Sequence, residues 1–505
     1  MDVDEVDTPL VIAGGGVAGL ALALAAGRQG MPVVVVERDP APTADSPEAA
    51  FEAVRRGAPQ VHQSHGFLAR LTLVLRERFP DVLTALVEAG ARPLPLTRDL
   101  GDPLPGDEDL AILALRRTTL EWVLRRAVLA EPNVRLRTDA AVTGVVVGDP
   151  ASGGTDAGSA GVPSTGAGVH VTGEGPTTGA GVPHVTGVRL DTGEVLAAAS
   201  VAACTGRRGD VPAWLAQVGV DVPESEQDTR FVYLTRWYRQ LDDRGDELPP
   251  RLGGDLGYLK YLAVPCDGGT FSITLAVRGK DSELRSALSD PDRFEQTCRM
   301  LTGPEQLFAD GHLEPLGPVL PMGGLVNRIR RFVDDDGRPL VTGFHAVGDA
   351  HTCTNPLYGR GCALAFVQAT LLADALAAHP GDPAAQVVDY EAGSAREVEP
   401  WYHAAVQMDA YRPPEPASAK AENGSGNGNG TNGGSLTEVF ARITAEGATD
   451  PVIGRALIRL FNLLLLPHEL MADTEFMTRV APIVARPAPA TPPPVEGPSR
   501  EEVLA

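Results

Sequence analysis

Cysteine is scarce: Cys204, Cys266, Cys298, Cys353 and Cys362 are the only ones in 505 residues, and no two form a CxxC pair. That excludes a disulfide framework and argues against a structural zinc site, so no metal is expected. Basic residues are in deficit, 43 Lys and Arg against 66 Asp and Glu, for a formal charge of −23. So acidic a chain has no electrostatic grip on nucleic acid or on an anionic membrane surface, although one local basic pocket remains compatible with it. No run approaches the ~20 unbroken apolar residues of a transmembrane segment, and the acidic start from Met1 to Asp7 is unlike a secretory signal. The expectation is a cytoplasmic protein of a reducing compartment, long enough for two or three domains at roughly 100–200 residues each.

What is present begins at Thr8-Pro9. A short apolar strand (Leu10 to Ala13) leads into Gly14-Gly15-Gly16-Val17-Ala18-Gly19, then an Ala/Leu helix to Arg28, a glycine stop at Gly30, and a buried strand from Pro32 to Val36 ending in Glu37-Arg38. This is one βαβ unit. Helical spacing of apolar residues runs from Ser64 to Gly90, and a further helix covers Thr118 to Ala130. A strand pair is expected near Val134–Leu136 and Val142–Val147. Residues 149–187 are rich in Gly, Ser, Thr and Pro and nearly duplicate themselves (164–173, then 177–187), which reads as an expanded hairpin loop with a flexible tip carrying His170 and His184. Leu196 to Cys204 returns as a buried strand. Arg230 to Val277 carries Phe231, Tyr233, Trp237, Tyr238, Tyr258, Tyr261 and Phe271 on strand-like segments, pointing to an antiparallel sheet. A buried strand from Leu340 to Val347 and a strongly apolar helix from Cys362 to Ala378 follow, then two helical patterns flanking a Gly/Asn/Ser linker at 422–434. The run from Arg455 to Leu466 reads as a helix docking on another domain, and the Pro-rich tail 487–505 as disordered.

The glycine fingerprint carries the first chemistry. Between a strand and a helix, Gly14 permits the turn, Gly16 lets the backbone approach a pyrophosphate, and Gly19 lets the helix pack on the sheet. The helix N-terminus offers unpaired N–H groups to phosphate. Glu37 closes the second strand, placed to hold ribose hydroxyls and to repel a 2′-phosphate. Far downstream, Gly348-Asp349 ends a strand and Pro356-Leu357-Tyr358-Gly359-Arg360-Gly361 opens a helix, giving a second anion-facing helix N-terminus.

With these motifs the chain resembles the group A FAD-dependent monooxygenases, the single-component aromatic hydroxylases, over most of 10–410. The resemblance implies an α/β fold: a Rossmann-like FAD-binding domain (1–225 and 336–400, with a flexible insertion at 149–187), an antiparallel-sheet substrate domain (226–335), and a helical C-terminal region (401–486). It implies that Gly14, Gly16, Val17, Ala18, Gly19, Glu37, Arg38, Gln60, Arg117, Gly348, Asp349, Pro356, Gly359 and Gly361 bind FAD. Where an aspartate is usual in the family's middle motif, this chain has Cys204, followed by Thr205-Gly206-Arg207-Arg208.

The segment Gly57-Ala58-Pro59-Gln60-Val61-His62-Gln63-Ser64-His65, with Arg117-Thr118-Thr119 and Thr235-Arg236-Trp237-Tyr238-Arg239, is similar to bacterial natural-product monooxygenases, among them polyketide epoxidases of antibiotic biosynthesis. That places His62 and His65 beside the isoalloxazine, with His65 either catalytic or a packing histidine. The implied reaction inserts one atom of O2 into a lipophilic substrate by a flavin C4a-hydroperoxide, as alkene epoxidation or aromatic hydroxylation. The aromatics from Phe231 to Phe271 would form an apolar roof or ordinary core. With no second GxGxxG unit, NADPH or NADH would bind transiently, or a separate flavin reductase would supply electrons. Alternatives on the same fold are a reductase of the geranylgeranyl type, a non-enzymatic escort protein, and a halogenase, the last disfavoured because Arg38 to Arg117 contains no lysine.

Overall fold

The computed structural model describes residues 8–40, 44–148, 181–241, 252–308, 313–410, 436–486 and 497–505. The linker 422–434, the first copy of the duplicated segment and the Pro-rich stretch 487–496 lie outside them.

Its centre is a five-stranded parallel sheet in the order Phe344–Ala346, Ser200–Ala203, Leu10–Ala13, Val33–Val36, Val134–Arg137. The first three strands are buried along their whole length, because helices cover one face and a second sheet the other. On the helical face Val17–Arg28, Arg117–Ala130 and Gly361–Ala378 pack into one apolar cluster with Leu20, Leu24, Leu124 and Phe366. Gly361–Ala378 is long and apolar enough to cross a membrane, but 72% of it is buried inside the protein. On the other face lies the antiparallel sheet Val142–Val147, Val185–Leu190, Val195–Ala197, together with the helix Val211–Ala216.

A separate antiparallel sheet runs in the order Gly253–Asp255, Leu259–Pro265, Thr270–Arg278, Phe231–Gln240, Leu313–Pro315. Leu320–Met322 also pairs with Phe231–Gln240. Strand alternation gives this sheet two unlike faces. One face, with Leu234, Tyr238, Ile273 and Leu275, packs on the helices Ser282–Leu288 and Pro291–Cys298. The other carries Tyr233, Thr235 and Trp237 opposite Ala276, Thr274 and Ser272.

The antiparallel sheet is fastened to the parallel-sheet body by a buried ion pair. Asp267, in the turn before Thr270, accepts from Arg116 N (2.5 Å), Arg116 Nη2 (2.6 Å) and Thr119 Oγ1 (2.7 Å). The helix Pro451–Phe461 docks as expected. Arg455 makes a bidentate pair with Asp107 (2.8 and 2.7 Å), and Asn462 Oδ1 accepts from Ala69 N.

Five expectations are corrected. The helix over 64–90 is two, Ala69–Arg78 and Pro80–Glu88, because Pro80 cannot donate into a continuing helix. Val134–Arg137 and Val142–Val147 do not pair with each other; the first extends the parallel sheet and the second pairs with Val185–Leu190. The strand 196–204 is divided, Val195–Ala197 joining one sheet and Ser200–Ala203 the other. His184 sits at no loop tip: it bridges to Thr342, with Nδ1 3.0 Å from Thr342 Oγ1. The end of the tail is ordered, as Arg500–Leu504 is a helix with Arg500 paired to Asp281 and Glu283 and Val503 fully buried.

Candidate functional site

A cavity of about 540 Å³ opens at the carboxyl ends of the parallel strands, where open α/β sheets bind ligands. Thirteen of the residues expected to bind FAD line it: Gly14, Gly16, Val17, Ala18, Glu37, Arg38, Gln60, Arg117, Gly348, Asp349, Pro356, Gly359 and Gly361. Gly19 lies beneath them. A Cβ there would sit 1.9 Å from Gly14 O, so only glycine lets the helix approach the turn this closely. Gly14 itself has φ +110°, and a Cβ would meet Cys204 O at 2.5 Å.

The site has the features a dinucleotide needs. A Cβ on Gly16 would meet nothing within 4 Å, so the cradle above the helix N-terminus is open to a pyrophosphate. Six arginines line the cavity (Arg38, Arg55, Arg56, Arg117, Arg207, Arg208) against three acids (Glu37, Asp210, Asp349), a local basic pocket within an acidic protein. Glu37 accepts from Gly15 N (2.7 Å) and Asp39 N (2.9 Å), one bond per carboxylate oxygen. Each oxygen keeps a second lone pair. No donor among the described residues reaches the Asp349 carboxylate, whose residue is bonded only through its backbone oxygen. Burial pushes its pKa up, against the pull of Arg117, Arg207 and Arg328. It is an acceptor suited to a polyol hydroxyl.

Below the cavity runs a charged chain. Arg117 donates Nε to Glu121 (2.9 Å), and Arg55 reaches Glu121 (2.5 Å) and Asp39 (3.0 Å). Burial would raise the Glu121 carboxyl, but Arg117 and Arg55 outweigh it and hold it below the usual range. His65 has both ring nitrogens engaged, Nδ1 with Gln63 O (2.8 Å) and Nε2 with Arg117 Nη1 (3.1 Å). Burial, aided by the Arg117 charge, depresses its pKa to about 3. The ring is therefore neutral, with Nδ1–H donating and Nε2 accepting. The thiols of Cys204, Cys353 and Cys362 also line the cavity, and burial raises each pKa, that of Cys362 to about 11, so they stay protonated.

The expected aromatic roof is not part of this cavity. Of Phe231, Tyr233, Trp237, Tyr238, Tyr258, Tyr261 and Phe271, none lines it, and Met322 and Val326 are the apolar contributions from that side. Tyr238 packs edge-on against Phe308, and Tyr261 donates to Thr302 O. In place of the roof, Ser64 bonds Ser272 and Thr274, and Gln63 bonds Thr235, pinning 63–64 to the sheet. Sequence reasoning missed this. It also missed Arg55 and Arg56, whose only signal was their position just before the Gly57-Ala58-Pro59-Gln60 run.

Residues 10–62 match the family model of the FAD binding domain. The structure is similar to p-nitrophenol 4-monooxygenase PnpA from Pseudomonas putida DLL-E4, at TM-score 0.57 and 16% identity, over 90% of this chain and 98% of that one. The chain has the FAD-dependent aromatic-hydroxylase fold. P. aeruginosa PqsL in complex with 2-aminobenzoylacetate shares this fold at TM-score 0.54 and 18% identity, covering 80% of this chain and 95% of that one. So does the flavin-dependent brominase Bmp2, at 0.54 and 16%, covering 94% and 97%. No curated protein sequence matches the chain. The aromatic-hydroxylase fold thus accounts for the parallel sheet, the glycine turn and the antiparallel sheet together, and it hosts more than one reaction.

Proposed function

We propose that the protein is an FAD-dependent monooxygenase that transfers one oxygen atom from O2 to a lipophilic small molecule, by epoxidation or hydroxylation. Electrons would come from NADPH or NADH bound transiently, or from a separate flavin reductase. The observation that carries the reading is the cavity itself: an open glycine cradle and an undonated Asp349 carboxylate among six arginines. No lysine stands among its lining residues, which disfavours a lysine-relayed halogenation.

FAD, when bound, supplies electron storage and oxygen activation. This chain's residues do the rest. The N–H groups at the start of Val17–Arg28 bind pyrophosphate, Glu37 takes the ribose and Asp349 the ribityl chain. The N-terminus of Gly361–Ala378, which lines the cavity with Pro356 and Gly359, would offer its partial positive charge to a reduced flavin held there. His65 stores no proton at neutral pH. As a positioning residue it fixes Arg117 through Nε2 and residues 63–65 through Nδ1. The protonated thiols of Cys204, Cys353 and Cys362 leave no competing thiolate nucleophile in the cavity.

The test is the visible spectrum of the purified or FAD-reconstituted protein, followed anaerobically with NADPH, NADH or a flavin reductase and then with O2. The reading expects stoichiometric flavin that bleaches and then reoxidises through a spectrum distinct from both oxidised and reduced forms. Direct return without such a phase would favour a reductase, and failure to hold FAD would end the reading.

A further inference from the structure

A second recess, of about 280 Å³, is walled by Phe51, His62, Trp237, Leu316, Pro318 and Leu320, with the exposed Glu52 beside them. Phe51 meets Trp237 edge-on at 5.0 Å and the His62 ring at 5.2 Å. Two polar groups of this trio are engaged: Trp237 Nε1 donates to His62 O at 2.7 Å, and His62 Nε2 lies 2.6 Å from Phe51 O. Apart from Glu52 and the second nitrogen of His62, the walls offer ring faces and aliphatic carbon.

Two paired strands connect this recess with the flavin cavity. On Leu320–Met322, Leu320 lines the recess and Met322 lines the cavity. Two residues apart on a strand, they share a face about 7 Å from each other. On Phe231–Gln240, Trp237 lines the recess, and Thr235, directly opposite Leu320, stands on the same face one step toward the cavity. One side chain of the cavity wall reaches a residue of the recess wall. Gln63 accepts from Thr235 Oγ1 (2.7 Å), donates Nε2 to Leu320 O (3.2 Å), and itself lines the flavin cavity. Both bonds are between neutral groups, so no ion pair holds this side chain in place.

We infer that the recess is a subsite for the apolar, unreacting end of the substrate, and that Gln63 is the door between it and the flavin. This rests on the monooxygenase reading and narrows its substrate to an extended lipophilic molecule. The end seated in the recess carries no anion, since Glu52 stands there.

The probe is 1,6-diphenylhexatriene, a neutral rod-shaped polyene, titrated into the FAD-loaded protein while its own emission is followed. Saturable binding is expected, weakened at least tenfold by Leu316→Trp, which fills the recess, with the flavin spectrum unchanged. Pro318→Trp, at an exposed position, serves if that variant does not fold. Gln63→Ala should keep the binding and let the probe perturb the flavin absorption, a perturbation absent in the parent protein. No saturable binding, or equal affinity in the filled variants, overturns the inference. Probe binding lost in the filled variants of a protein whose reduced flavin never oxygenates would sink the monooxygenase reading and leave the recess. Oxygenation with probe affinity untouched by filling would do the reverse.

Discussion

The glycine turn at Gly14–Gly19 and the antiparallel sheet at Phe231–Arg278 were built by different rules. In the turn, function belongs to the backbone. Gly14, Gly16 and Gly19 act through what they lack, within six residues, against a strand and helix that are also local. In the sheet, function belongs to side chains whose partners come from far away: Thr235 meets Gln63, Ser272 and Thr274 meet Ser64, and Asp267 meets Arg116. A local device is visible as a motif. A device assembled across the fold leaves only scattered Ser, Thr and Gln residues in the sequence.

Five changes would break or sharpen this contrast. The largest effect is expected on the sheet side. Asp267→Ala leaves the buried Arg116 guanidinium with only the exposed Glu48 as partner and should cost about 3–5 kcal/mol in chemical denaturation. On the turn side, Gly19→Ala drives a Cβ into Gly14 O and should cost about 3 kcal/mol together with FAD binding. Gly16→Ala, whose Cβ meets nothing, should leave the apoprotein's stability unchanged while weakening FAD at least tenfold, measured by flavin fluorescence. Equal losses from the two glycine variants would show that the turn is not divided between packing and ligand roles.

The fourth change concerns His65, whose pKa falls from 6.5 in the unfolded chain to about 3 in the fold. Between those values the unfolded state binds a proton that the folded state does not. Stability from this group is therefore full above pH 6.5 and lost as pH falls toward 3. His65→Gln should remove about 2 kcal/mol of the loss seen between pH 7.5 and 4.5. Parallel stability profiles would mean that His65 is solvated and not locked to Arg117. The smallest effect is expected for Thr235→Val, which leaves Gln63 Oε1 without its donor at a cost of about 1 kcal/mol. A null result there would mean that the sheet does not hold Gln63 in place.

Much of the parallel-sheet half was legible because its signals are continuous in the chain. Leu10–Ala13 and Val33–Val36 are unbroken apolar runs around glycines, and Gly361–Ala378 is apolar on every side. The errors fell where a short apolar run has two destinations. Val195–Ala197 and Ser200–Ala203 look like one strand, yet the residues between them carry the chain from one sheet to another. The aromatics of the antiparallel sheet at Phe231–Arg278 misled for a related reason. Alternation tells which residues share a face, but not which face meets a helix, which meets the 57–66 segment and which meets the cavity. Arg55 and Arg56 escaped because nothing in an exposed-looking Arg-Arg pair announces the buried Glu121 that Arg55 reaches.

By itself, the sequence determined that this acidic protein folds its dinucleotide turn at Gly14–Gly19 and a second helix N-terminus after Gly348-Asp349, since those features depend on backbone conformation and neighbouring residues. Only the tertiary structure decided that His65 is a neutral ring tied to Arg117, that the aromatics of the antiparallel sheet withdraw from the cavity, and that Gln63 is bonded to Thr235 and to Leu320 O. Each of those outcomes is set by burial and by hydrogen-bond partners from distant parts of the chain, and neither exists until the sheets have packed.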